Sequence, residues 1–207
     1  MLTFKQFITE EFNDAHYERV HSSLVRHYRY NYDDDQHIAS FTHGLGDKYG
    51  SSNFNSNLHR GNPLTNRQAQ LKDKLTSISR KFQTPKKLTV YRGLPKGGES
   101  IKTQSNGFTS TTLHPEQAHN FTSADKDGVH HIMKIHVPEG SHGIYAGAAG
   151  GNAGDDHSDS YAAEKEFIIP HGAKFKTADK PVMRTTRSGR KIAVWHSKLI
   201  HDGTKEL

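Results

Sequence analysis

Apolar residues in the first part of the chain recur at the spacing of a helix. Val20, Leu24 and Tyr28 lie four residues apart, which places their side chains on one helical face. Three other stretches repeat this spacing: residues 4–12, 38–41 and 71–82. The stretch 44–62 is rich in Gly, Ser and Asn, which is typical of a loop with one helical turn. The pattern therefore predicts a mainly helical part over residues 1–84.

In the rest of the chain, apolar residues alternate with polar ones, which is the pattern of strands. The clearest case is a strand with four residues on one face: His131, Met133, Ile135 and Val137. The predicted strands are 88–92, 107–112, 130–137, 144–145, 164–169, 173–177 and 191–199. Helices followed by strands indicate an α+β fold with a mostly antiparallel sheet. We expect one domain, 1–207, in which 85–207 is mainly β.

The composition narrows the class of protein. Lys and Arg number 28 against 22 Asp and Glu, which gives a net charge of +6, and there is no cysteine. Without cysteine the chain has neither disulfides nor Cys-ligated zinc, which fits a reducing compartment. No apolar run is long enough for a membrane span or a secretion signal, so a cytoplasmic location is expected.

Charge is distributed unevenly along the chain. Segments 1–61, 62–102, 103–169 and 170–207 carry net charges of −2, +8, −6 and +6. The two basic segments are either ordinary solvated surface or a surface that attracts a polyanion or an acidic partner. The charge pattern by itself favours neither interpretation.

The many histidines suggest a metal site and the Gly-rich stretch 147–154 suggests a dinucleotide-binding loop, but neither has the residue spacing that such a site needs. The 16 histidines include no H-E-x-x-H motif, and His130 and His131 point to opposite faces of a strand because they are adjacent. The glycines of 147–154 do not match G-x-G-x-x-G, and Asp155 and Asp156 follow them instead of a helix. We therefore predict no structural metal and no Rossmann-type dinucleotide site.

A pair of carboxylates, Glu164 and Glu166, is the first candidate for chemistry. Residues two apart on an extended strand project from one face, so both side chains would address one small substrate. The apolar residues 167–169 that follow support the strand. The pair is weak alone, because most such pairs are solvated strand faces.

Two neighbouring motifs strengthen the candidate. Arg92 ends an apolar strand and offers a guanidinium fork to a diphosphate, while Gly93 lets a ligand approach the backbone. Ser110 lies in a hydroxyl-rich stretch, 108–112, that would orient a carboxylate. This ordered triplet, aromatic-Arg, then Phe-x-Ser, then Glu-x-Glu, resembles the R-S-E class of arginine-specific mono-ADP-ribosyltransferases. The resemblance spans about residues 38–200 and is closest to the Mod-type enzymes of T-even bacteriophages.

The resemblance implies a fold, a reaction and a set of site residues. The fold would be a β-sandwich-like core of the ADP-ribosyltransferase type. The enzyme would transfer ADP-ribose from NAD, without a metal, to arginines of host proteins of transcription or translation in the host-cell cytoplasm. The implied catalytic residues are Glu166, Glu164, Ser110 and Arg92. The implied NAD-binding residues are Tyr91, Arg92, Gly93, Ser110, Phe121 and Glu166.

Individual roles come from the same resemblance. Arg92 would hold an NAD phosphate, the Gly93 backbone would hold the nicotinamide carboxamide, and Ser110 would support the catalytic glutamate. Phe121 would stack on nicotinamide. Thr112 stands where many members of the class have serine, and it keeps the hydroxyl. Two further stretches resemble the helical segment before the first strand of the class: Phe41-Thr42 and Asn55-x-x-Leu58.

The two glutamates suit the implied chemistry. Glu166 matches the invariant glutamate of the class. Cleavage of the nicotinamide–ribose bond develops an oxocarbenium-like cation, which a carboxylate bound to the ribose 2′-OH would stabilise. Glu164 matches the upstream residue associated with arginine as acceptor. Because a guanidinium is always protonated, a second carboxylate must orient it and accept its proton.

Two other functions compete with this hypothesis. A non-catalytic nucleic-acid-binding module would explain the basic segments, although the chain has no zinc-knuckle, RNP or helix-turn-helix signature. A glycoside or nucleoside hydrolase would use Glu164 and Glu166 as its acid pair, but such enzymes usually take the two acids from separate elements across a cleft.

Overall fold

Four of the five described helices precede the first strand, as the apolar spacing predicts. The computed structural model describes residues 14–43, 53–94, 104–149, 165–185 and 189–204, so the predicted stripe 4–12 lies outside the described residues. The described helices are α1 (Asp14–His27), α2 (Tyr32–His43), α3 (Phe54–Arg60), α4 (Asn66–Lys81) and α5 (Pro115–Asn120). Of the helices described, none is long and apolar enough to cross a membrane.

Helix α4 shows how the sequence forms these helices. It begins with a capping box, in which the Gln68 N–H donates to the Thr65 hydroxyl and the Thr65 N–H donates to the Gln68 side chain. Leu71, Leu75 and Ile78 are buried along one face, as their spacing predicts. Burial of each such side chain contributes about 1.5–3 kcal/mol, so this stripe fixes α4 against the rest of the core.

The described strands form one mixed, open sheet. They are β1 (Leu88–Leu94), β2 (Thr109–Thr112), β3 (Val129–Val137), β4 (Ile144–Tyr145), β5 (Glu166–Ile169), β6 (Lys174–Thr177), β7 (Val182–Thr185) and β8 (Lys191–His201). Their order is β4-β5-β2-β1-β3-β8-β6, and β7 also pairs with β8. Only β3 and β8 run parallel among the described pairs. The predicted α+β fold with a mostly antiparallel sheet is confirmed.

Strand β3 is buried on both faces, which is more than its alternation indicates. Met133 and Ile135 belong to the main core that the sheet forms with the N-terminal helices. Ile132, on the opposite face, belongs to a smaller cluster under α5 with Tyr91, Ala118, Ile192 and Val194. This second face is covered because α5 packs on it, through contacts with β1 and β3.

Candidate active site

A cavity of about 410 Å³ lies where helices α2, α3 and α5 meet strands β1, β2 and β5. This volume is within the usual range for a small-molecule site, about 300–1,000 Å³. The lining residues are Phe41, Thr42, Asn55, Tyr91, Arg92, Gly93, Ser110, Thr111, Thr112, Ala118, Phe121 and Glu166.

Strand pairing brings the predicted Arg, Ser and Glu motifs together. Tyr91 of β1 lies opposite Thr112 of β2, and Thr112 lies opposite Glu166 of β5. Arg92 follows Tyr91, and Ser110 precedes Thr112 by two residues. Neighbouring strands are about 4.8 Å apart, so three motifs that are distant in sequence become neighbours in space.

Arg92 places a cation in the wall of this cavity. Its Nη1 donates a hydrogen bond to the backbone carbonyl of Ser110 at 3.3 Å. Burial lowers the pKa of the Arg92 guanidinium, and the negative charge of Glu166 opposes that shift. An arginine stays protonated even so, and a desolvated guanidinium beside a cavity favours the binding of an anion there.

Gly93 has a structural task that the sequence did not reveal. A Cβ at this position would lie 2.4 Å from the carbonyl oxygen of Ala118 and 2.8 Å from the carbonyl carbon of Phe121. The missing side chain therefore allows α5 to pack directly on β1. That packing carries Phe121, the residue after α5, to the cavity, where 58% of the Phe121 surface remains exposed.

Glu166 is held by the backbone of β5. It is half-buried and is the first residue of that strand. The Thr111 hydroxyl donates to the carbonyl of Phe167 at 2.5 Å, and the Leu113 N–H donates to the carbonyl of Lys165 at 3.2 Å. The residues on both sides of Glu166 are thus hydrogen-bonded to β2 or to Leu113, the residue that follows β2.

The predicted strand 164–169 begins two residues late. Lys165 has φ = 44°, a left-handed conformation, so the extended backbone assumed for the Glu164 and Glu166 pair is interrupted between them. Glu164 itself lies outside the described residues. The prediction that the two carboxylates share a face therefore no longer follows from strand alternation, and the role of Glu164 stays a prediction.

Asn55 is a part of the cavity wall whose structural task the resemblance did not specify. Its Nδ2 donates to the carbonyl of Phe108 at 2.8 Å, and its Oδ1 accepts from the Phe108 N–H at 2.9 Å. The side chain thus pairs with the backbone just before β2 as another strand would. It fixes α3 to the strand that carries Ser110.

The structure brings together all six residues that the resemblance assigns to NAD binding: Tyr91, Arg92, Gly93, Ser110, Phe121 and Glu166. Thr111 and Ala118 also line the cavity and were not singled out. The hydroxyl-rich stretch pointed to Thr111, whereas no local signal pointed to Ala118. Within the described ranges no group of three His, Asp or Glu side chains is placed to hold a metal ion.

Comparison with known proteins places this geometry in context. The family model described as ADP-ribosyltransferase exoenzyme matches residues 9–202. No curated protein sequence matches the chain.

Solved structures share the fold at low sequence identity. C3stau2 from S. aureus, solved with NAD, is 16% identical with a TM-score of 0.63, and the match covers 91% of this chain and 96% of that one. Plx2a, an ADP-ribosyltransferase toxin from Paenibacillus larvae, is 15% identical with a TM-score of 0.55. The match covers 97% of this chain and 100% of Plx2a. BECa of a binary enterotoxin of C. perfringens, solved with NADH, is 17% identical with a TM-score of 0.57. The match covers 97% of this chain and 50% of BECa.

Proposed function

Since the chain belongs to the ADP-ribosyltransferase exoenzyme family, we propose that it transfers ADP-ribose from NAD to arginine side chains of acceptor proteins. The observation that carries the proposal is that Arg92, Ser110 and Glu166 line one cavity of about 410 Å³. A cation for a diphosphate, a hydroxyl and a carboxylate are the groups that glycosyl transfer from NAD needs.

The donor would bind along β1 and α5. Arg92 would pair with an NAD phosphate, because its half-buried side chain lacks a carboxylate within salt-bridge distance among the described residues. Gly93 lines the cavity, and Phe121 presents an aromatic ring at the same cavity. These residues would hold the nicotinamide between strand and ring.

Glu166 would carry the chemical step. As the bond between nicotinamide and ribose breaks, nicotinamide leaves as a neutral molecule and the ribose carbon becomes cationic. A carboxylate that accepts a hydrogen bond from the ribose 2′-OH stabilises this cation while it forms. Ser110, on the neighbouring strand, would orient that carboxylate.

Arginine as the acceptor rests on Glu164. The Glu-x-Glu spacing supplies a second carboxylate close to Glu166 in the chain, and an arginine needs such a group to take up its proton. We propose on this basis that the chain belongs to the R-S-E class of arginine-specific enzymes, whose T-even phage Mod-type members its motifs resemble.

A comparison of two activities tests this assignment. Glu164→Ala should lose modification of arginine while it keeps hydrolysis of NAD, because water needs less help than a guanidinium. Mass spectrometry of a cell extract incubated with NAD would identify the modified residue type for wild type and variant. Equal loss of both activities, or modification of another residue type by the wild type, would contradict the assignment.

Acceptors bound to nucleic acid fit the charge of the sheet. Apart from Arg92 in the cavity and the buried Lys134, the eight described strands carry five Lys and Arg side chains and one carboxylate, that of Glu166. Lys176 and Lys198 are exposed and directly opposite each other on β6 and β8. Like charges so placed repel each other unless an anion lies between them. We propose host proteins of transcription or translation as the acceptor class.

The same charges favour a second candidate, a nucleic-acid-binding module without catalysis. Such a module would retain RNA or DNA in a salt-dependent manner and would consume no NAD. Turnover of NAD by the purified protein excludes it. Loss of extract labelling after nuclease treatment would instead support nucleic-acid-associated acceptors of a transferase.

A further inference from the structure

Helix α1 contacts the chain at both ends of the stretch that leads to Glu166. Tyr145 is the last residue of β4, and Lys165 directly precedes Glu166. Because β4 and β5 are paired, with Tyr145 opposite Phe167, the chain leaves the sheet and returns to it at neighbouring positions. One helix is thus able to hold both points.

The point of departure is fixed by side chains from α1 and the residues after it. Tyr145 is fully buried, and its hydroxyl shares a 2.5 Å hydrogen bond with Nδ1 of His21. The Tyr145 N–H donates to the hydroxyl of Tyr30 at 2.9 Å. The ring of Tyr28 packs edge-on against Tyr145 with centroids 6.1 Å apart.

The point of return is fixed by α1 and by the end of β2. Nζ of Lys165 lies 3.0 Å from Oε1 of Glu18, and the Lys165 carbonyl accepts from Leu113. The hydrogen bond and charge of Lys165 lower the pKa of Glu18, so the Glu18 carboxyl is ionised at neutral pH. A left-handed conformation at a residue other than glycine is uncommon and persists where its surroundings hold it.

Glu18 and His21 are three residues apart, so they are neighbours on one face of α1. The helix is itself anchored, since Val20 and Leu24 are buried in the main core. Contacts to both ends of the stretch therefore come from a single fixed element.

We propose that Glu18 and His21 are positioning residues, which hold Lys165 and Tyr145 so that the Glu166 carboxylate is aimed into the cavity. Neither residue lines the cavity, so neither would touch NAD. The inference rests on the proposed function of Glu166.

This arrangement predicts different effects of the Glu18 variants on kcat and on KM for NAD. Arg92, Gly93 and Phe121 are independent of the contact between Glu18 and Lys165, so KM for NAD should stay unchanged. A small displacement of a catalytic group can reduce the rate by up to about 100-fold. We expect kcat for NAD consumption to fall about tenfold in Glu18→Ala and further in Glu18→Lys, which repels Lys165, with Glu18→Gln between wild type and Glu18→Ala.

The experiment measures kcat and KM for NAD in these three variants, together with amide hydrogen exchange at Leu113. Leu113 is the readout because its N–H is bonded to Lys165, so its exchange should rise when Lys165 is released. Glu139→Ala, at an exposed turn residue, is the matched loss of a carboxylate and should behave as wild type. Tyr145→Phe removes the hydrogen bond to His21 and should also lower kcat without changing KM.

The outcomes separate the two proposals. Unchanged kcat and unchanged Leu113 exchange in Glu18→Ala and Glu18→Lys would overturn the positioning role while wild-type activity stands. A fall of kcat that only follows the melting temperature would also overturn it. A wild type that consumes no NAD would contradict the proposed function, and Leu113 exchange would still decide whether Glu18 holds Lys165.

Discussion

Phe121 exposes 58% of its surface at the cavity, so its ring is not there to stabilise the core. If the ring stacks on nicotinamide, its loss removes an aromatic contact of about 0.5–1.5 kcal/mol. Phe121→Ala should therefore weaken NAD binding by about twofold to twelvefold and leave the melting temperature unchanged. Calorimetric titration with NAD measures the change.

Tyr32 supplies the control for Phe121. It is an exposed aromatic residue, with 64% of its surface accessible, and it does not line the cavity. Tyr32→Ala should bind NAD as tightly as wild type. Equal NAD affinities for wild type and Phe121→Ala would contradict the stacking role.

At the scale of elements, the contact between β1 and α5 depends on Gly93. A methyl group there would overlap the backbone of α5, and overpacking of this kind costs about 1–3 kcal/mol. Gly93→Ala should lower the free energy of unfolding by that amount and weaken NAD binding, since α5 carries Phe121. Denaturant unfolding and NAD titration measure the two effects.

Gly140 is the control for Gly93, because a substitution there causes backbone strain without a steric clash. It has φ = 79°, and a Cβ there would meet no atom within 4 Å. Gly140→Ala should cost stability through its left-handed backbone alone and should leave NAD binding intact. Normal NAD binding by Gly93→Ala would contradict the claim that the close packing of α5 on β1 places Phe121 for NAD binding.

Local patterns predicted the elements, whereas long-range pairing decided the rest. The spacing of Leu71, Leu75 and Ile78 was sufficient for α4, because helix formation depends on near neighbours. The second buried face of β3 depends on the packing of α5 and on residues of β8, some 60 residues away in the chain. The contact of Gly93 with Ala118 and the left-handed Lys165 likewise depend on which distant segments meet, and no local periodicity encodes that.

At the scale of the whole molecule, Asp202 ties the residues after β8 to the turn between β3 and β4. Burial opposes ionisation of Asp202, but hydrogen bonds from His142 and Thr204 outweigh it and lower the pKa of this carboxyl to about 2. A carboxyl with a lowered folded-state pKa stabilises the fold above its unfolded-state value, near 4. That stability is lost as the pH falls from about 4 toward 2.

Asp202→Asn should therefore be less stable than wild type at pH 7 by about 1–2 kcal/mol, and the difference should shrink below pH 4. Urea unfolding at several pH values measures it. Asp179→Asn, at an exposed acid, should show no such difference. A gap between wild type and Asp202→Asn that persisted unchanged at pH 2.5 would contradict this account.

The central claim is that Glu166 in the Arg92 and Ser110 cavity drives ADP-ribose transfer, and the rate of Glu166→Ala tests it most directly. Labelled NAD is incubated with a cell extract and with wild type, Glu166→Ala or Glu139→Ala. Loss of transition-state charge stabilisation predicts a rate about 10²–10³-fold below wild type for Glu166→Ala, with NAD still bound and with Glu139→Ala fully active. Protein labelling by Glu166→Ala at a rate near that of wild type would contradict the claim.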